Sequence, residues 1–95
     1  MKAFKSFILL IKLMKYAVKI EVSLKPGHSN PEGETITQLL KELGYQVEKI
    51  DMSKIYTIII QSSSQTEAKI KAEEMCKRLL TNPTKDNYAI SVVEQ

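Results

Sequence analysis

Cysteine and histidine are almost absent from this 95-residue sequence: Cys76 and His28 are the sole examples of each. One cysteine excludes a disulfide within the chain and fits a reducing compartment. With one histidine and one cysteine there is no cluster with metal-ligand spacing. Long hydrophobic runs are missing as well. In the leader "MKAFKSFILLIKLM" the apolar run 7–11 is cut to five residues by Lys12. A secretory core needs roughly seven to fifteen residues, and a membrane span about twenty. No small-x-small cleavage site follows, so residues 1–13 read as an upstream start or an N-terminal extension, and 14–95 as the domain. An excess of one charge is also lacking there. The formal net charge is +3, but residues 1–13 hold Lys2, Lys5 and Lys12 and no acid. The remainder balances eleven bases against eleven acids and has no electrostatic reason to seek a phosphate backbone.

What is present is a regular alternation of patterns. Tyr16, Val18, Ile20, Val22 and Leu24 alternate with Ala17, Lys19, Glu21 and Ser23, the period of a strand with one face on a core. Ile36, Leu39, Leu40 and Leu43 then form a helical stripe. Asn30 suits its N-cap, Pro31 its first turn and Gly44 its left-handed end. Residues 45–52 read as a second strand, with a bulge near Glu48 because Tyr45 and Val47 are out of phase with Ile50 and Met52. Ser53-Lys54 reads as a tight turn, and "IYTIIIQ" as a third, central strand that is apolar on both faces. A capping box at Ser64–Glu67 opens a second helix. Its expected buried stripe is Ala68, Ala72, Met75, Cys76, Leu79 and Leu80. Acid-first pairs Glu67/Lys71, Glu73/Lys77 and Glu74/Arg78 stand on its outer side. Asn82-Pro83 stops that helix, and residues 88–93 form the last strand, with Tyr88, Ile90 and Val92 inward.

The order β-α-β-β-α-β is the split βαβ of ferredoxin-like α+β folds: a four-stranded antiparallel sheet with two helices on one face. One set of third-strand residues must then face away from the helices. Either Ile55, Thr57 and Ile59 or Tyr56, Ile58 and Ile60 form that set; the first is the expected oligomer interface, and an apolar row on an open face is a contact surface, for a second copy or for the leader. A homo-dimer or tetramer is the expected state.

Candidate chemistry is sparse. Cys76 lies on the apolar stripe near a helix C-terminus, where the dipole disfavours thiolate, and reads as an inert core residue. His28 has no visible base–orienter set. The loop "LKPGHSNPEGETI" lacks the glycine spacing and lysine of a phosphate-binding loop. Catalytic, cofactor-binding and metal residues are therefore expected to be none. The loop reads as a stiff helix-entry turn at a partner surface, where Pro26 and Pro31 lower the entropy cost of docking.

"KYAVKIEVSLKPGHSNPEGETI", "LKELGY", "EEMCKRLLTNP" and the closing "YAISVVE" resemble the PurS family, the small subunit of phosphoribosylformylglycinamidine synthase. The resemblance runs from Met14 to Glu94. Its most specific pieces are Leu24, Lys25, Gly27, Pro31 and Gly33, and then Met75, Cys76, Leu79, Leu80, Asn82 and Pro83. The leader departs from the family pattern, as does Asn30, where relatives tend to carry Asp. The resemblance implies a non-catalytic cytoplasmic subunit of a purine-biosynthesis complex. It bridges a glutaminase subunit and a large synthetase subunit and supports ammonia transfer, while the partner subunits use ATP, Mg and glutamine. Lys25, Pro26, Gly27, Pro31 and Gly33 are then the expected partner contacts. An ACT-like small-molecule sensor shares the topology and is the alternative; ligand binding to the isolated protein distinguishes it. An RNA-binding sheet fits poorly, because Tyr56 alone is too little aromatic surface for stacking. No membrane partner is expected.

Overall fold

A computed structural model describes residues 13–95. Expectations about the leader lie outside the described residues. The elements run β1 (Met14–Leu24), α1 (Pro31–Glu42), β2 (Ser53–Ser62), α2 (Gln65–Met75) and β3 (Asp86–Glu94), with one π turn over Cys76–Leu80 after α2. The three strands form one antiparallel sheet in the order β2-β1-β3. β1 sits in the middle because it alternates most cleanly, and its Tyr16, Val18, Ile20 and Val22 are all buried.

Pairing fixes which residues share a face. Val18 lies opposite Ile58 and Val92, and Ile20 opposite Tyr56 and Ile90. Cross-strand partners point the same way, so these rows form the inner face. α2 and the π turn after it close over this face with Ala68, Ala72 and Cys76, all fully buried, while Leu80 packs at the margin of this core. Small residues on α2 let helix and sheet approach closely. Ser64 caps α2 by accepting from the Glu67 amide at 3.1 Å, as the capping box requires.

Several expectations need correction. The fourth strand is absent among the described residues: residues 45–52 form no ladder, and β2 pairs with β1 alone. The phase break between Val47 and Ile50 has a plainer cause than a bulge, since a segment without steady alternation has no single face to bury. Ser53 and Lys54 are not a turn but the first residues of β2, opposite Ser23 and Val22. β2 is consequently an edge strand and not a central one.

The helices differ from expectation too. α2 packs against all three strands, but α1 does not cover the sheet. Among α1 residues only Gly33 is buried. Leu39 and Leu43 remain 53% and 74% exposed, and Ile36 and Leu40 are half-buried. On the second helix Leu79 is not part of the core but 83% exposed. The π turn explains this. Its wider coil advances each residue by a smaller angle than an α-turn, which brings Leu80 toward the core line and carries Leu79 out of it. Tyr88 keeps the inner phase but lies at the exposed end of β3. None of the three acid–base pairs expected on α2 closes; among the described residues the ion pair is Lys49–Asp51 at 3.3 Å, on the exposed surface.

Candidate interaction site

The loop after β1 is built as a turn. His28 N–H donates to the Lys25 carbonyl at 3.3 Å, with Pro26 and Gly27 at the two central positions. Gly27 has φ +87°, which a type II turn needs at its third residue and which glycine adopts without strain. Nothing lies within 4 Å of a Cβ placed there, so its requirement is conformational and not steric.

Lys25 ties this turn to the loop before β3. Its backbone N–H donates to the Lys85 carbonyl at 2.7 Å, and its ammonium donates to the Pro83 carbonyl at 2.9 Å. The second loop is itself ordered from within: the Asn82 side chain accepts from Thr84 N–H, and the Asp86 carboxylate accepts from Asn82 N–H, both at 2.9 Å. The two motifs that stand out in the sequence, around Lys25 and around Asn82-Pro83, thus meet in space.

Asn30 and Gly33 position the other wall. The Asn30 side-chain oxygen accepts from Gly33 N–H at 3.2 Å, satisfying a helix-start donor. Its amide reaches the Ile50 carbonyl at 3.5 Å. A Cβ on Gly33 would stand 2.6 Å from the Asn30 amide nitrogen and 2.7 Å from the Ile50 carbonyl oxygen. Gly33 is there so that the returning chain can touch the helix. At the far end Gly44, φ +97°, closes α1: Gly44 N–H donates to Lys41 and Tyr45 N–H to Leu40, a Schellman arrangement. α1 and residues 45–52 therefore form one arm.

Between this arm and the 25–28 turn lies a cleft of about 560 Å³. Lys25, Pro26, Gly27 and His28 line it, whereas Pro31 and Gly33 shape the wall from behind. Lys25, Lys41 and Lys49 face Glu34, Glu48 and Asp51, so the cleft carries no charge preference. Residues 48–52 escaped the sequence reading as part of this wall because they read as strand. Among the described residues no three His, Cys, Asp or Glu side chains gather as a metal site. Cys76 lies elsewhere, fully buried beneath α2. Burial pushes its thiol above the ordinary value, and the neighbouring Glu73 carboxylate adds to the shift. Such a thiol is a poor nucleophile at neutral pH.

On the outer face of the sheet, Ile59 lies opposite Ala17, which in turn lies opposite Val93, and Ile55 lies opposite Glu21. Ile55, Thr57 and Ile59 all point away from α2, and the two isoleucines are 64% and 51% exposed. Among the described residues no helix is long and apolar enough to cross a membrane.

These features define a small α+β domain in which one helix closes a three-stranded antiparallel sheet and a second stands in an arm beside it. A family model described as PurS, phosphoribosylformylglycinamidine (FGAM) synthase, matches residues 17–94, and the chain belongs to the PurS family. It is 38% identical over 81 residues to the phosphoribosylformylglycinamidine synthase subunit PurS of Methanothermobacter thermautotrophicus, covering 85% of this chain and 96% of that one. Its fold is similar to the crystal structure of Methanocaldococcus jannaschii PurS, one of the subunits of formylglycinamide ribonucleotide amidotransferase in the purine biosynthetic pathway. There the TM-score is 0.77 at 37% identity, covering 84% of this chain and 98% of that one. It is also similar to a chain in the structure of PurLQS from Thermotoga maritima, with TM-score 0.73 and 26% identity, over 86% and 99% of the two chains.

Proposed function

We propose that the chain is the PurS subunit of phosphoribosylformylglycinamidine synthase and works in purine biosynthesis by assembling with the synthetase and glutaminase subunits. The observation that carries this reading is the family match across residues 17–94, supported by the likeness to a chain of the PurLQS structure. In this role the chain bridges the two larger subunits and supports ammonia transfer between them, in the cytoplasm. ATP, Mg and glutamine are handled by those partners.

The tied loops around Lys25 and Pro83 suit a docking surface. Their backbone is already fixed by hydrogen bonds within the chain, so little conformational freedom is lost on binding. Lys25, Pro26 and Gly27 then meet a partner directly, while Pro31 and Gly33 set the arm behind them. The outer sheet face, with Ile55, Thr57 and Ile59, is offered to a second copy. The ferredoxin-like form belongs to the same reading: with residues 45–52 laid along the free edge of β2, the sheet has four strands.

Reconstitution tests this. The purified chain alone should hydrolyse neither glutamine nor ATP. Added to the matching synthetase and glutaminase subunits, it should restore glutamine-dependent synthesis of formylglycinamidine ribonucleotide. An unchanged rate would count against the assignment.

A further inference from the structure

Among the described residues β3 pairs with β1 alone, so its other edge is open. The register tells which backbone groups line that edge. Lys25 N–H donates to the Lys85 carbonyl and Gln95 N–H to the Lys15 carbonyl, both in line with the β1–β3 pairs. In an antiparallel ladder bonded and non-bonded pairs alternate. Asn87, Ala89, Ser91 and Val93 therefore turn their amides and carbonyls toward β1, and Tyr88, Ile90, Val92 and Glu94 turn theirs outward. Two further bonds agree with this assignment. Asp86 N–H, in the outward phase, donates to the Asn82 carbonyl at 2.8 Å, and the Val92 carbonyl accepts from the Gln65 side chain at 3.2 Å. The amides of Tyr88, Ile90 and Val92 meet no backbone acceptor among the described residues.

Edges of this kind are normally blunted by lysine, proline or a bulge. β3 has none of these. Its sequence, DNYAISVVE, holds neither lysine nor proline, and its pairing with β1 runs unbroken from Asp86 to Glu94. Where β3 begins, a hollow of about 380 Å³ adjoins the edge at Tyr88. Its charged lining is Lys25, Lys77 and Asp86, and Pro83 and Tyr88 supply apolar wall. The Asp86 carboxylate already accepts from Asn82 N–H, whereas Lys77 closes no ion pair among the described residues. The hollow is thus left cationic.

We infer that the β3 edge receives an extended segment of a partner subunit, with an acidic residue of that segment seated in the hollow beside Lys77. This rests on assembly with the synthetase and glutaminase subunits, and makes β3 the strand on which one of them docks. Main-chain hydrogen bonds to Tyr88, Ile90 and Val92 supply affinity, and the carboxylate fixes the register, the division of labour in strand addition. The occupant is a partner and not a second copy. Two β3 strands paired antiparallel about Ile90 would set Asp86 of each opposite Glu94 of the other, and like charges directly opposite destabilise a ladder. The Lys25–Pro83 bond holds one wall of the hollow in place, so the surface is formed before the partner arrives.

Hydrogen exchange in the assembled complex tests the docking. The isotope-labelled full chain is exchanged free and in complex with the matching subunits, then read by NMR after release. In the free chain the amides of Ala89, Ser91 and Val93 should exchange slowly and those of Tyr88, Ile90 and Val92 fast. In the complex the second set should slow by roughly tenfold or more. A complex that forms by sedimentation while those amides stay fast overturns the edge docking and leaves the assembly standing. Failure of any complex to form overturns both. Protection of the outward amides already in the free chain gives the edge to a second copy or to the leader, and equally overturns the inference. Independently, Ile90→N-methyl-isoleucine, placed by chemical synthesis, removes one outward donor and keeps the side chain. It should raise the dissociation constant for the partners roughly tenfold with the circular dichroism unchanged. Lys77→Glu should weaken the complex by a similar factor at low salt and by less at high salt. Parent affinity in the folded N-methyl chain, or in Lys77→Glu at low salt, would overturn the docking.

Discussion

The Lys25 ammonium donates to the Pro83 carbonyl at 2.9 Å across 58 positions of sequence, and the backbone of the same lysine donates to Lys85. A residue expected from the sequence to be a partner contact is also a tie between the loops that enter α1 and β3. Its backbone bond survives any substitution but proline, so the side chain can be tested alone. Lys25→Met should lower stability by about 0.5–1 kcal/mol, the worth of one exposed hydrogen bond. The melting temperature reads that loss. Partner affinity should fall by more, and an equal loss in both would assign Lys25 to folding only.

Gly33→Ala tests the arm. The added methyl group meets a backbone carbonyl at 2.7 Å, and backbone cannot swing aside as a side-chain tip can. A cost of about 1–3 kcal/mol is expected from overpacking. The helix gains intrinsic propensity from the same change, by at most about 1 kcal/mol, so a net stabilisation in urea melts would show that the arm does not hold α1 against Ile50.

Cys76 should be chemically silent in the folded protein. A thiol reagent at pH 8 should label it slowly in the native state and at once in denaturant. Its folded-state value lies above the unfolded one. The unfolded chain therefore loses this proton first, and stability must decline as pH rises past about 8.5. Cys76→Ala removes that component, flattening the alkaline limb relative to the parent, at a cost of about 1–2 kcal/mol near neutrality for the methyl-sized void. Loss of complex activity with an unchanged melt would instead make Cys76 a functional group.

Ile59→Lys probes the outer face. Ile59 is half exposed in the single chain, so the isolated fold should change by no more than about 0.5 kcal/mol. Assemblies that bury the Ala17–Ile59–Val93 row should dissociate, which sedimentation reads directly. Unaltered assembly would remove this face from the interface.

How far the sequence discloses the fold depends on whether a segment's neighbours are near in sequence. β1 is readable because its alternation is uninterrupted over nine residues. The caps are readable because Asn30, Ser64 and Gly44 each act within a few residues of themselves. The arm is not. Whether Leu39 and Leu43 cover the sheet is decided by where two loops aim α1, and an amphipathic stripe looks the same either way. Residues 45–52 are apolar enough for a strand, yet what they touch is the Gly33–Asn30 end of α1, a contact set by one missing Cβ. Leu79 has the right spacing for the core and is turned out by a π turn that no local signal announces. The Lys25–Pro83 tie joins two motifs visible in the sequence, but their meeting follows from the pairing of β1 with β3, which only the folded sheet reveals.

The turn at Gly27 has a consequence of handedness. Its φ of +87° is forbidding for an ordinary residue but natural for a mirror-image one, and the space around it is empty. Chemical synthesis can place D-alanine at this one position. There the new methyl group points into open solvent, the native backbone angle is the preferred one, and the unfolded chain loses freedom that glycine had allowed it. The same atom that strains the turn as L-alanine should then tighten it as D-alanine. The two epimers, identical in composition and differing only at one carbon, should melt on opposite sides of the glycine protein.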